Sequence, residues 1–111
     1  MPDGPTDRTA VIHEMVRVIV KHFHPEKVVL FGSHARGDAG EDSDVDLLIV
    51  MPIEGSRRQK RLEIRLALHD LDVPKDVVVV TPTEYESQRD LPGTLVHEAR
   101  RGGRVLYDHA A

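Results

Sequence analysis

No cysteine and no tryptophan occur among the 111 residues, and aromatic side chains make up 4% of the chain. The missing cysteines exclude disulfides, thiolate nucleophiles and cysteine-held zinc or iron–sulfur clusters. Any metal held here must take oxygen or nitrogen ligands. Long apolar runs are missing too: the longest, residues 47–52 and 77–80, fall far short of the roughly 20 residues that span a bilayer. The first residues show no basic stretch followed by an apolar one, so a cytoplasmic protein without a membrane partner is expected. Nor is there an excess of positive charge. With 15 Lys and Arg against 19 Asp and Glu the formal charge is -4, which disfavours a chain-wide embrace of nucleic acid and leaves room only for a local basic patch.

What is present is a 40% apolar fraction rich in Val, Leu and Ile, enough at this length for one core without covalent staples. Residues 1–8, dominated by Pro, Gly and Asp, read as a flexible leader, and residues 9–111 as a single domain. Thr9 is a candidate N-cap for a helix whose apolar side repeats at Val11, Ile12, Met15, Val16, Ile19, Val20 and Phe23, and which Pro25 ends. Two short runs, 27–31 and 44–51, are rich in β-branched and apolar residues and read as buried strands. Ser56 can cap a helix reaching about Leu71, with Leu62, Ile64, Leu66, Leu68 and Leu71 as its apolar side. The four valines after Asp76 suit a third strand over 76–81. A short helix from Pro82, another opened by Gly93 or Thr94 and stopped by Gly102-Gly103, and a last strand over 104–107 complete an α/β domain. Its sheet is mixed, with three to four strands.

The residues with chemical potential stand at strand ends. If the first two strands pair antiparallel across residues 32–43, Gly32 and Asp44 share one edge of the sheet. A helical crossover then returns the chain parallel to the second strand, which brings Asp76 to the same edge. Asp44 and Asp46, two apart on a strand, face the same way with Cα atoms about 6.5 Å apart. Carboxylates gathered this densely repel one another, and the natural relief is a hard divalent cation, Mg2+ or Mn2+. Two ions about 3.5–4 Å apart can share the Asp44 and Asp46 pair, with Asp76 completing one site, the arrangement used for in-line phosphoryl transfer. Asp70 or Asp72 replaces Asp76 if the third strand begins earlier. Gly32 permits close backbone approach to a ligand, and Ser33 offers either a hydroxyl for a phosphate or a helix cap. Arg36 is suited equally to a triphosphate and to a surface pair with Asp38 or Asp42. The segment has no Walker lysine and no G-x-G-x-x-G.

Residues 29–37, Val-Leu-Phe-Gly-Ser-His-Ala-Arg-Gly, followed after five residues by Ser43-Asp44-Val45-Asp46-Leu47, resemble the G-S-x-A-R-G…S-D-x-D-L signature of the minimal nucleotidyltransferases of the DNA polymerase beta superfamily. Asp76 resembles that family's third carboxylate. The resemblance implies the nucleotidyltransferase fold and transfer of a nucleoside monophosphate, AMP first among them, from an NTP such as ATP to a hydroxyl. Two Mg2+ or Mn2+ ions on Asp44, Asp46 and Asp76 are implied, with the nucleotide at Gly32, Ser33 and Arg36. Members of this size pair with a HEPN-domain toxin as antitoxins and modify a tyrosine on it, so a hetero-oligomer with the toxin is implied as well. Two other readings stand beside this one: nucleotide addition to RNA ends, and a binding-only antitoxin with a vestigial site.

The remaining features read more plainly. His22 and His24, at a helix C-terminus before Pro25, complement the dipole rather than bind zinc. Arg57, Arg58, Lys60, Arg61 and Arg65 form a basic helix face, ordinarily solvated but suited to a partner or to RNA phosphates. Gly37 and Gly40 shape the loop, Glu41 and Asp42 are solvated, and Tyr107 is a strand neighbour before it is a hydroxyl acceptor.

Overall fold

The computed structural model describes residues 8–40 and 43–110. Its elements run α1 (Arg8–Phe23), β1 (Lys27–Phe31), α2 (Ser33–Arg36), β2 (Val45–Val50), α3 (Arg57–Ala67), β3 (Lys75–Val80), α4 (Pro82–Gln88), α5 (Leu95–Gly102) and β4 (Arg104–Asp108). The strands form one mixed sheet in the order β3-β2-β1-β4. β1 pairs antiparallel with β2 and β4, while β2 and β3 are parallel, joined by the α3 crossover. These are the pairings the strand-end argument required.

Side chains alternate across a strand, and the burial follows that alternation. Val28, Leu30, Leu47, Ile49, Val77 and Val79 enter a core with Ile12, Met15 and Ile19 of α1 and Ile64 of α3. Val29, Leu48, Val50 and Val80 enter a second core on the other face with Tyr85 of α4 and Val96 and Ala99 of α5. Each large aliphatic side chain so buried stabilises the fold by about 1.5–3 kcal/mol relative to exposure. Along the second face, the even-numbered row of β2 continues from Val50 and Leu48 to Asp46, and the row of β3 from Val80 and Val78 to Asp76. One face of the sheet is therefore apolar at one end and acidic at the other.

Several boundaries differ from expectation. α1 begins at Arg8, so Thr9 lies inside it rather than capping it, and Arg8 belongs to the helix rather than to the leader; residues 1–7 lie outside the described residues, as do Glu41 and Asp42. Ser56 does cap α3, accepting a hydrogen bond from the Gln59 N–H, but the helix ends at Ala67, with the Leu68 N–H bonded to the carbonyls of Ile64 and Arg65 in a tightening last turn. The expected apolar side of this helix was too broad. Ile64 and Leu68 are fully buried, whereas Leu62 and Leu66 are 50% and 64% exposed. At 3.6 residues per turn, a two-residue step rotates about 200°, so Leu62 and Leu66 lie on the opposite side from Ile64. Thr81 leaves the third strand to cap α4 in a reciprocal capping box with Glu84. Thr94, rather than Gly93, caps α5. His24 ends α1 in the left-handed region at φ 50°, its N–H bonded to the Val20 carbonyl, just ahead of Pro25.

The candidate nucleotidyl-transfer site

The antiparallel pairing sets Phe31 opposite Asp46, and the parallel pairing sets Asp46 opposite Asp76. The turn after β1 thus meets both carboxylates at one end of the sheet. Gly32 has φ 75° and ψ -156°, a conformation strained for any residue with a side chain, and it occupies the N-cap position of α2. Its hydrogen faces the Asp46 carboxyl group: a Cβ there would overlap Oδ2 and stand 3.2 Å from Cγ. Ser33 is accordingly the first residue of the helix rather than its cap. Its carbonyl accepts the N–H groups of Gly37 and Asp38, which closes the turn. Gly37 sits in the left-handed region at φ 85° as the C-cap.

Asp46 is partly buried, and its carboxyl is raised above the ordinary carboxylate range first by that burial and then by the charges of Asp76 and Asp44, with His34 and Arg36 opposing the rise. Four side chains from the turn, the run-in to β2 and β3 thus act on Asp46. Asp44 is exposed at the approach to β2. Asp76 is engaged with Arg61 of α3, Nη2 to Oδ1 at 3.3 Å. Arg36 pairs loosely with Asp38 at the surface, Nε to Oδ2 at 3.3 Å. Asp70 and Asp72 lie in the turn before β3, whose residue facing Asp46 is Asp76.

Two participants were not singled out from the sequence. His34 donates from Nε2 to the Ser43 carbonyl at 3.2 Å, tying α2 to the run-in of β2 and placing its ring near Asp46. Its position in the turn is the variable one of the motif, so spacing gave no signal. In the sequence Arg61 is one member of a basic helix face. Its contact with Asp76 depends on how α3 crosses the β3 edge, where Arg57 also donates from Nη1 to the Val79 carbonyl at 2.8 Å. That bond covers a main-chain acceptor on an edge strand.

Among the described residues, no three His, Asp or Glu side chains stand together as a ready metal cage. The donor set nevertheless suits a hard cation in kind: three carboxylates, the ionised form of one of them disfavoured first by burial and then by the other two, with a single arginine contact on Asp76. Asp44 and Asp46 have no cationic contact of that kind among the described residues. A divalent cation would offset the mutual repulsion of these like charges.

The Nucleotidyltransferase domain family model matches residues 13–100. The chain belongs to that family. A curated relative from Methanocaldococcus jannaschii, named "Putative protein adenylyltransferase MJ0141", is 45% identical over 42 residues, a match covering 38% of this chain and 42% of the relative. The chain thus aligns with less than half of that protein. Among solved structures, a mutant of the MntA-HpeT toxin-antitoxin superposes with a TM-score of 0.63 at 18% identity, covering 86% of this chain and 71% of the other. A toxin-antitoxin structure with AMP-PNP gives 0.62 at 20% identity, covering 86% and 73%. At these identities the likeness is one of fold, and the nucleotidyltransferase fold expected from the sequence is the fold observed.

Proposed function

We propose that this chain transfers a nucleoside monophosphate, AMP in the first instance, from a nucleoside triphosphate to a hydroxyl of a second protein, and that it acts on that protein as an antitoxin on its toxin. The observation that carries this reading is the contact of Gly32 with Asp46, opposite Asp76. A triphosphate lying along the Gly32-Ser33 backbone is thereby held beside the carboxylates instead of apart from them.

In this reading Gly32 admits the ligand to the backbone, the Ser33 hydroxyl and the N–H groups opening α2 donate to the phosphate oxygens, and Arg36 exchanges its weak pair with Asp38 for the charge of the departing group. The acceptor oxygen forms a bond to the α-phosphorus as the bond from that phosphorus to the bridging oxygen breaks, and pyrophosphate leaves. The hydroxyl proton passes to Asp76 as general base. Asp44, Asp46 and Asp76 would hold Mg2+ or Mn2+, which supplies the positive charge that two metal ions offer to the attacking and leaving oxygens of such a displacement. Arg61 engages Oδ1 of Asp76 alone, which leaves Oδ2 for a cation.

A protein acceptor is supported by the adenylyltransferase name of the Methanocaldococcus relative, and a toxin partner by the fold shared with the toxin-antitoxin structures. The HEPN domain, its tyrosine and a stable hetero-oligomer with it are the finer form of the proposal. The test is incubation with ATP labelled at the α-phosphate, Mg2+ and a purified HEPN-domain protein. Label is expected on that protein with the native chain and none with Asp46→Ala. Label on added RNA with the HEPN protein left unmarked would move the assignment to RNA-end addition.

A further inference from the structure

The outer side of α3 is not needed to hold the helix in place. Ile64 and Leu68 are fully buried and supply its contact with the sheet. Leu62 and Leu66, one turn apart, stand 50% and 64% exposed on the other side. Arg58, Arg61 and Arg65 flank them, and together with Leu62 these arginines line a shallow cleft of about 270 Å3. The stripe is of one charge. The acid on this helix, Glu63, is engaged by Lys60 at 3.0 Å and by Gln59 at 3.3 Å. Among the described residues neither Arg58 nor Arg65 has an acidic partner. Arg61 joins the stripe to the site through Asp76.

We infer that this stripe, Arg58, Leu62, Arg65 and Leu66, is where the acceptor protein docks, and that it receives an amphipathic helix presenting carboxylates beside a row of aliphatic side chains. The inference rests on the proposed transfer to a protein and assigns the surface that delivers the hydroxyl. Charge complementarity selects an acidic occupant, because three arginines border the cleft. The two leucines select a protein over a nucleic acid. They offer nothing to phosphates, whereas an apolar helix face set into such a stripe covers them. Single-stranded RNA is usually gripped by aromatic platforms between basic residues, and residues 57–67 contain no aromatic side chain. Contact with Arg61 would also bring the docked chain to the carboxylate edge of the sheet, where a transferred nucleotide must arrive.

The test uses the full chain and two fluorescent probes: a synthetic helical peptide of about 16 residues, roughly 24 Å long, with paired Leu flanked by Glu, and a single-stranded RNA of about 20 nucleotides, long enough to fill an ordinary single-strand site. Binding is read by anisotropy for the native chain, for Leu62→Asp with Leu66→Asp, and for Arg58→Glu with Arg65→Glu. Circular dichroism checks the fold, and a fluorescent ATP analogue checks the nucleotide site. The peptide is expected to bind the native chain and to lose at least ~10-fold in affinity with either double variant, the loss typical of central contacts in an interface. Nucleotide binding should not change. A peptide that fails to bind the native chain, or binds both variants equally well, overturns the inference. So does RNA binding that depends on Arg58 and Arg65 while ignoring the leucines. Failure of the native chain to bind the ATP analogue would instead count against the nucleotidyl-transfer reading, and the peptide result would still decide the surface.

Discussion

The carboxyl group of Asp46 fills the space that a Cβ on residue 32 would need, so only glycine fits beside it. Two requirements meet at this position, a backbone at φ 75° and the absence of a Cβ. Gly32→Ala violates both. A backbone at φ 75° and ψ -156°, a region used almost only by glycine, costs roughly 1–3 kcal/mol for a residue with a Cβ, and the overlap displaces Asp46. A misplacement of about 1 Å at a reacting centre can lower the rate about 100-fold. Gly32→Ala should therefore reduce labelled-AMP transfer by about two orders of magnitude with only a modest fall in melting temperature. Thermal unfolding and the transfer assay, run on one preparation, separate the two effects.

Asp46 stands where its ionised form is disfavoured, a position that suits the proposed chemistry better than stability. Burial and the charges of Asp76 and Asp44 all disfavour its ionised form. Asp46→Asn keeps the shape and removes the charge, so it should abolish transfer while leaving stability at pH 7 unchanged or raised by ~1 kcal/mol or less. A large loss of stability in calorimetry would mean that the carboxylate holds the fold together.

The Glu84 carboxyl is lowered from 4.5 to about 2, first by Arg57 and then by the Thr81 main-chain N–H. A depressed acid stabilises the folded state above its unfolded value and loses that contribution as protons bind. Stability from Glu84 should therefore be full above about pH 4.5 and disappear as the pH falls toward about 2. With the Arg57 and Glu84 side chains 48% and 32% exposed, solvent screening holds the ion pair to ~1 kcal/mol or less, and the cap adds about 1 kcal/mol. Urea unfolding of the native chain and Glu84→Gln should differ at pH 7 and draw together as the pH falls through about 2.

Gly102 and Gly103 look equivalent in the sequence and are not equivalent in the fold. A Cβ on Gly103 would be caught against the main-chain oxygens of Ala99 and Leu30, the latter at 2.8 Å, whereas one on Gly102 meets nothing within 4 Å. Gly103→Ala should cost ~1–3 kcal/mol, in the range of overpacked sites. Gly102→Ala should be neutral or slightly stabilising, since it sits at the end of α5. Denaturant midpoints of the two variants check the contrast.

Local chemistry determined much of this protein from its sequence. The valine-rich runs became strands because β-branched side chains restrict the backbone, Ser56 and Thr94 became caps because their hydroxyls reach main-chain N–H groups, and the Gly-Ser turn with its spaced aspartates pointed to a candidate site. Tertiary structure decided what depends on neighbours distant along the chain. Which way α3 turns its leucines, Arg61 reaching Asp76, His34 bonding to Ser43 and Gly32 pressing on Asp46 all follow from how helices cross strands. Such contacts are set by packing against the whole core, and no window of adjacent residues contains that information.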